Sequence, residues 1–164
     1  MKRENDGERT MWKWFRKKRI TDGEIELILS GTSKDPDPQG WGNTFLYDIL
    51  ELKTGKIIGR CDLRLGNTKT LYIGGNIGYT VYVPYRGKHI AAKACNLLFD
   101  VARGFGVKQL IITCNPDNLA SYRTCELAGC TLKEIVPVPQ DHELYLQGDR
   151  EKAIFIKNLV ESTD

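Results

Sequence analysis

Apolar and polar residues alternate along the first half of the chain and then change period. Glu24–Ser30 (EIELILS) alternates as a half-buried strand does, and Thr44–Leu52 (TFLYDILEL) and Lys56–Leu65 (KIIGRCDLRL) repeat the pattern on either side of Lys53-Thr54-Gly55, a hairpin signal. Between the first two strands, residues 31–42 (GTSKDPDPQGWG) carry the Gly, Pro and Asp of an irregular loop. A fourth strand is predicted over Tyr72–Val83, where glycines at 74, 75 and 78 suggest a bulge or a close approach of backbones. The period then becomes helical: Ile90, Ala94, Leu97, Leu98 and Val101 share one face, and Gly104 closes the segment. Lys108–Cys114 (KQLIITC) is a short apolar strand of the buried kind, and Asn118–Ala128 is a second helix closed by Gly129. Thr131–Val136 and Ala153–Leu159 are the last strands, around a polar loop with Asp141, His142 and Gly148. Four strands, helix, strand, helix and two strands make an α/β (α+β) fold, a mixed sheet with antiparallel arms and one parallel crossover.

Composition narrows this picture. The chain has 164 residues, enough for one domain with a real core, and 41% hydrophobic with 27% charged residues suits a soluble globular protein. No apolar run approaches the roughly 20 residues of a membrane-spanning helix. The opening MKRENDGERTMWKWFRKKR lacks the apolar region of a secretory signal. Five cysteines, an odd number without CxxC pairs, indicate reduced thiols and a cytoplasmic location, with neither a disulfide framework nor a metal site.

Charge divides the chain in two. Residues 1–19 hold eight Lys/Arg against three acids, so residues 1–20 read as a basic tail or short helix. The rest, 21–164, is a single domain with sixteen basic and eighteen acidic residues. Trp12, Trp14 and Phe15 in the tail suit docking on the domain, a partner or an anionic surface. A nucleic-acid role rests on the tail alone, because the body is net acidic and lacks interleaved basic and aromatic strand positions.

Candidate chemistry concentrates at two helix starts. In VYVPYRGKHIAAKAC (81–95) a strand turns through Arg86, Gly87, Lys88 and His89 into a helix, whose first N–H groups and dipole suit a phosphate or pyrophosphate. The alternative is a basic turn that merely caps the helix. In NPDNLASYRTCELAGC (115–130) a helix begins at the end of a buried strand, where ligands of α/β sheets sit. Asn115, Asn118 and Ser121 suit capping; Asn118 and Ser121, three residues apart, also share a face that could hold a polar ligand.

These segments resemble the GNAT superfamily of acyl-CoA-dependent N-acyltransferases. Its pyrophosphate loop reads (Arg/Gln)-x-x-Gly-x-(Gly/Ala), and 86–91 match at Arg86 and Ala91. Its second motif has an Asn, a small residue three later and a Gly eleven later, as Asn118, Ser121 and Gly129 do here. The I-G-Y-x-V strand before the loop has its counterpart in Ile77-Gly78-Tyr79-Thr80-Val81, and the GGNIGYTVY and CNPDN stretches are similar to a little-described group of acetyltransferases in the superfamily. The resemblance covers roughly residues 22–160. It implies fourth and fifth strands that splay apart, with the pantetheine arm of acetyl-CoA in the gap. It also implies backbone contacts from Tyr82 and Val83, the Val83 N–H facing the thioester oxygen, and a pyrophosphate cradle formed by Gly87, Lys88, His89, Ile90 and Ala91 with the charge of Arg86. The activity implied is direct transfer of an acetyl group from acetyl-CoA to a primary amine, on a small molecule or on a peptide or protein. A homodimer is implied by the family's habits alone.

Three positions depart from the family. His89 replaces the loop's inner glycine. Asn76 stands where many members carry a glutamate base, and an amide can only orient a water that relays the proton. Cys125 stands where many carry a tyrosine that protonates the departing thiolate; it reads as a thiol acid or as a small core residue. Asp62, in the row Arg60, Asp62 and Arg64 on one strand face, is a base candidate; Asp48, Glu134 and His142 are weaker ones. Only the loop 31–42 stands in place of the usual helices between the first two strands, making this a short form with an acceptor side that is open or closed from elsewhere. The competing expectation is a catalytically silent CoA-binding module whose basic tail engages a partner.

Overall fold

The computed structural model describes residues 18–33 and 38–160. The expected basic tail lies outside the described residues except for 18–20, and the loop 31–42 lies partly outside them. Along the chain run β1 (Ile20–Thr21), β2 (Ile25–Ser33), β3 (Asn43–Glu51), β4 (Lys56–Leu65), α1 (Lys69–Gly74), β5 (Ile77–Val81), a 3₁₀ turn (Val83–Tyr85), α2 (Ile90–Gly104), β6 (Gln109–Cys114), α3 (Leu119–Leu127), β7 (Thr131–Pro137), α4 (Glu143–Leu146) and β8 (Glu151–Asn158). They form two antiparallel sheets, β1-β2-β3-β4-β5 and β6-β8-β7. Among the described residues no helix is long and apolar enough to cross a membrane.

The core follows from strand alternation. Phe45, Tyr47 and Ile49 of β3, Cys61 and Leu63 of β4 and Ile77 of β5 turn to one face and are buried there. The helical stripe of α2 covers that face, with Ile90, Ala94, Leu97, Leu98 and Val101 all buried. Leu110 and Ile112 of β6 and Phe155 of β8 extend the same core into the second sheet. Fully burying a Leu or Phe here contributes about 1.5–3 kcal/mol, so this interface dominates the stability of the fold.

Among the described residues, the hydrogen bonds that tie the two sheets together converge on one residue. Asn76, immediately before β5, donates its backbone N–H to the Ile111 carbonyl at 2.6 Å and accepts the Ile111 N–H on its side-chain oxygen at 2.8 Å. Its side-chain nitrogen donates to the carbonyls of Arg64 and Gly66 at 2.9 and 3.1 Å, and its carbonyl accepts from the Arg64 N–H. Beyond this joint β5 and β6 belong to separate sheets, which is the splay expected beside the crossover helix.

Residues 69–74 correct the expected fourth strand. They form α1, capped by Thr68, whose hydroxyl accepts the Leu71 N–H. Leu71 and Ile73 are both buried, and with Ile77 they imitate the period of a strand. Gly75, at φ +83°, ends the helix against β6, where a Cβ would meet the Thr113 nitrogen at 3.1 Å; the glycine run does mark a close backbone approach. The polar loop before β8 also holds a helix, the single turn α4, capped by His142.

Candidate active site

Main-chain geometry defines the loop before α2. Gly87 has φ +83° and His89 has φ 60°, ψ 25°; His89 is the one described residue other than glycine in the left-handed region. The position keeps the backbone conformation that a glycine adopts freely, at a cost of about 1–2 kcal/mol for a residue with a Cβ. The loop leads into the first turn of a 15-residue helix, where Ile90, Ala91 and Ala92 lack intrahelical acceptors. Lys88 and His89 are exposed beside it. Arg86 is exposed too, but its Nε donates to the Val81 carbonyl at 2.9 Å, folding the guanidinium back along the end of β5.

Tyr82 and Val83 separate in role. The Tyr82 N–H donates to the Ile58 carbonyl at 2.9 Å and its carbonyl accepts from Tyr85, so its backbone groups serve the protein itself rather than the gap. Val83 is 70% exposed, and among the described residues its N–H has no partner.

An open cleft of about 250 Å³ occupies the split, bordered by β5 at Ile77, Gly78 and Tyr79 and by β6 at Thr113 and Cys114. Asn115, Asn118 and Ser121, singled out at the start of the second helix, all line it. Asn118 caps α3, its side-chain oxygen accepting the Ser121 N–H at 3.2 Å. The Asn115 side chain donates to Asp149 at 3.0 Å, and Lys152, only 8% exposed, pairs with the other Asp149 oxygen at 2.9 Å. Burial pushes the Asp149 carboxyl up, but the hydrogen bonds from Lys152 and Asn115 outweigh it and hold the carboxyl below its ordinary range. Opposite, Arg64 pairs with Asp62 at 2.6 Å, donates to the Gly74 and Gly75 carbonyls and lies 4.9 Å from the centre of the Trp41 ring. Gly78 makes room for that pair, since a Cβ there would fall 2.5 Å from the Asp62 carboxylate.

Several sequence candidates stand elsewhere. Asn76 is 5% exposed, and its amide joins the sheets, both donor hydrogens taken by carbonyls and its oxygen by Ile111, which leaves no donor to orient a water. Cys125 is wholly buried behind β6 and does not border the cleft. Its thiol is pushed far up by its hydrogen bond to Cys114 and by burial, so it keeps its proton; the cleft-side Cys114 is lowered by that same bond, against burial and helped by Lys152. Asp62 reaches Arg64 rather than the cleft wall. His142 uses both ring nitrogens: Nδ1 accepts from Leu144, which assigns the proton to Nε2 and directs it at the Thr70 carbonyl. Glu134 accepts from the Tyr72 hydroxyl, and Asp48 pairs with Arg60 at 3.4 Å.

Sequence reasoning missed Asp149 and Lys152 and used Tyr79 only as part of a motif. Lys152 carried a signal, a lysine set against the apolar run 153–156 at the start of the last strand. Asp149 carried none, because its partner Asn115 is 34 residues away.

The fold and the split place the chain among known architectures. A family model described as acetyltransferase (GNAT) domain matches residues 4–131. The structure is similar to ribosomal-protein-S5-alanine acetyltransferase from Vibrio fischeri, at 13% identity over 90% of this chain and 100% of that one, with a TM-score of 0.65. It is also similar to the microcin C7 self-immunity acetyltransferase MccE in complex with acetyl-CoA and AMP, at 20% identity over 85% and 94% of the two chains, with a TM-score of 0.61. RimL, a ribosomal L7/L12 alpha-N-protein acetyltransferase in complex with coenzyme A, matches at 14% identity over 86% and 98%, with a TM-score of 0.62. At these identities the likeness concerns the fold. No curated protein matches the sequence.

Proposed function

The chain belongs to the acetyltransferase (GNAT) domain family, and from that premise we propose that it transfers the acetyl group of acetyl-CoA to a primary amine, with the α-amine of a polypeptide as the first acceptor class to test. The observation that carries the reading is the left-handed pair Gly87 and His89 leading into α2 at the mouth of the β5–β6 split. Such a turn presents several N–H groups to a pyrophosphate without drawing on side chains. The pantetheine arm then lies in the gap, and the exposed Val83 N–H is the backbone donor for the thioester carbonyl. Lys88, exposed beside the helix start, adds positive charge at the loop. Two of the similar structures are of enzymes that act on ribosomal proteins, which favours a polypeptide acceptor.

Attack requires the amine in its neutral form. Asp149 lines up with Lys152 and Asn115 as a weak base, held ionised by its partners, so it orients the cleft rather than accepting the proton. An α-amino group with a pKa of about 8 is partly neutral at physiological pH and needs no strong base. The rate is therefore expected to rise with pH, to be half-maximal near pH 8 and to level off above about pH 9. A lysine side chain, with a pKa of about 10.4, would keep rising past pH 9.

Calorimetry with acetyl-CoA, followed by thiol release over amino acids, polyamines, aminoglycosides and short peptides, tests the reading. Binding with release on peptides establishes the acceptor class. Binding without release on any amine favours a CoA-binding module, and the absence of binding removes the pyrophosphate assignment.

A further inference from the structure

Two ion pairs flank the cleft, and both stand the same way round. Arg64 borders the cleft while Asp62, its partner at 2.6 Å, does not. On the opposite wall Lys152 borders it while Asp149, its partner at 2.9 Å, does not. Glu143, a third carboxylate, accepts the Trp41 indole N–H at 3.0 Å and likewise stands outside the lining. Among the described residues that border the cleft there are thus two cations and no carboxylate. Each pair is neutral as a whole, but a charge in the cleft meets the cation at shorter range than the anion behind it, and Coulomb energy falls with distance. The cleft walls are positive for that reason. Both cations also keep donors. Asp149 is the described partner of Lys152, whose ammonium has three hydrogens. Arg64 commits Nε to Asp62 and Nη1 to the Gly74 and Gly75 carbonyls, while its Nη2 has only a 3.5 Å contact with Asp62.

We infer that the acceptor carries a carboxylate close to its amine and that Arg64 or Lys152 holds it; this rests on the acetyl-CoA reading above. A free α-amino acid has that chemistry, and so does a polypeptide with an acidic side chain next to its first residue. Lys152 is buried and Arg64 half-buried, so water screens them little and a charge-assisted bond there is stronger than one on the surface. Arg64 lies against the Trp41 ring and is tied to the end of α1 through two carbonyls, so it is held in place before an acceptor arrives. Polyamines and aminoglycosides carry further positive charge in place of a carboxylate. They would set like charges against both walls, which counts against them as acceptors.

The test compares acceptors on one preparation of the whole chain. Thiol release from acetyl-CoA is followed with alanine against alaninamide, and with peptide amides that differ only in Asp, Asn or Lys at the second position. Rates are compared as kcat/KM for the neutral amine, which removes differences in amine ionisation. The carboxylate is expected to raise kcat/KM about tenfold over its neutral match. A gain with alanine identifies a free amino acid as the source, and a gain with the Asp peptide identifies a polypeptide. The Lys peptide should fall below the Asn one, and the gain should shrink in high salt. Arg64→Gln or Lys152→Met, whichever removes the contact, leaves a bare carboxylate behind that wall and should bring the ratio to about one or lower. Ratios cancel any loss of turnover, and acetyl-CoA calorimetry shows whether each variant is folded. Should a variant fail to fold, the parent's ratios and their salt dependence decide. Ratios near one in both arms of the parent overturn the assignment, as does a parent ratio that neither folded variant lowers. No acetyl-CoA binding, or binding without release from any acceptor, removes the acetyl-transfer reading and the inference together.

Discussion

At the start of α2 the groups that suit an anion are main-chain N–H groups, set by two left-handed residues and the first turn of a helix. In the cleft between β5 and β6 the polar groups are side chains that hold one another: Asn115 and Lys152 through Asp149 on one wall, and on the other Arg64, tied to two carbonyls and to Asp62 behind it. The first region tolerates changes of side chain because its geometry resides in φ and ψ. The second transmits every change, because each partner removed leaves another unpaired in partly buried surroundings. Substitutions should therefore divide by region, with large effects where side chains interlock and small ones where the backbone provides the contacts.

The largest effect is expected at the joint that opens the cleft. Asn76→Ala removes three hydrogen bonds and strands the Ile111 N–H and two carbonyls; a loss of about 3 kcal/mol in urea unfolding is expected. A loss under 1 kcal/mol would mean that the sheets are held together elsewhere. Next is Lys152→Met, which leaves the half-buried Asp149 beside one amide donor and should cost about 1–2 kcal/mol. Its pH signature is specific. Asp149 titrates lower in the folded chain than in the unfolded one, so its contribution is complete above about pH 5 and is lost as pH falls through 4 and below. Following the urea midpoint from pH 7 to 3, the acid-side loss should be shallower in Lys152→Met than in the parent. Equal slopes would detach Asp149 from Lys152.

In the donor loop the expected effects are smaller. Lys88→Ala should weaken acetyl-CoA binding about fivefold with the melting temperature unchanged, and the loss should shrink at high salt. Arg86→Ala should act less on affinity, since the guanidinium is turned back onto Val81. A greater loss at Arg86 than at Lys88 would mean that the guanidinium leaves that carbonyl when the ligand arrives. The smallest effect is His89→Gly, which relieves the left-handed strain while adding backbone entropy to the unfolded chain; a net gain below about 1 kcal/mol is expected, with acetyl-CoA affinity retained. A loss of affinity there would show that the imidazole, not the backbone, contacts the phosphates.

The same division explains what could be read in the sequence. The donor loop was legible because strand, turn and helix start are local signals, and the apolar stripe of α2 is periodic over fifteen residues. The helix start at Asn118 was legible for the same reason. The cleft was not, because its contacts span 34 residues from Asn115 to Asp149 and 42 from Tyr79 to Ser121. Asn76 drew notice for the wrong property: its place suggested proton chemistry, whereas its value lies in an amide that can donate twice and accept in one small volume. Helix α1 was hidden because Leu71, Ile73 and Ile77 reproduce the two-residue period of a strand, and a single capped turn leaves too few positions to break the tie. His89 shows the converse. A residue type departed from the motif while the backbone conformation that the motif serves remained.

The joint at Asn76 holds one end of β5, which pairs with β4 along all five of its residues, so the two strands would turn about it together. The strand runs five residues beyond it, about 17 Å at 3.4 Å per residue. A rotation of about 5° at that joint displaces the far end by about 1.5 Å, half the length of a hydrogen bond, yet moves Gly78 by only about two-fifths of that. A rotation there would thus change the width of the gap most beside Val83 and least beside Gly78.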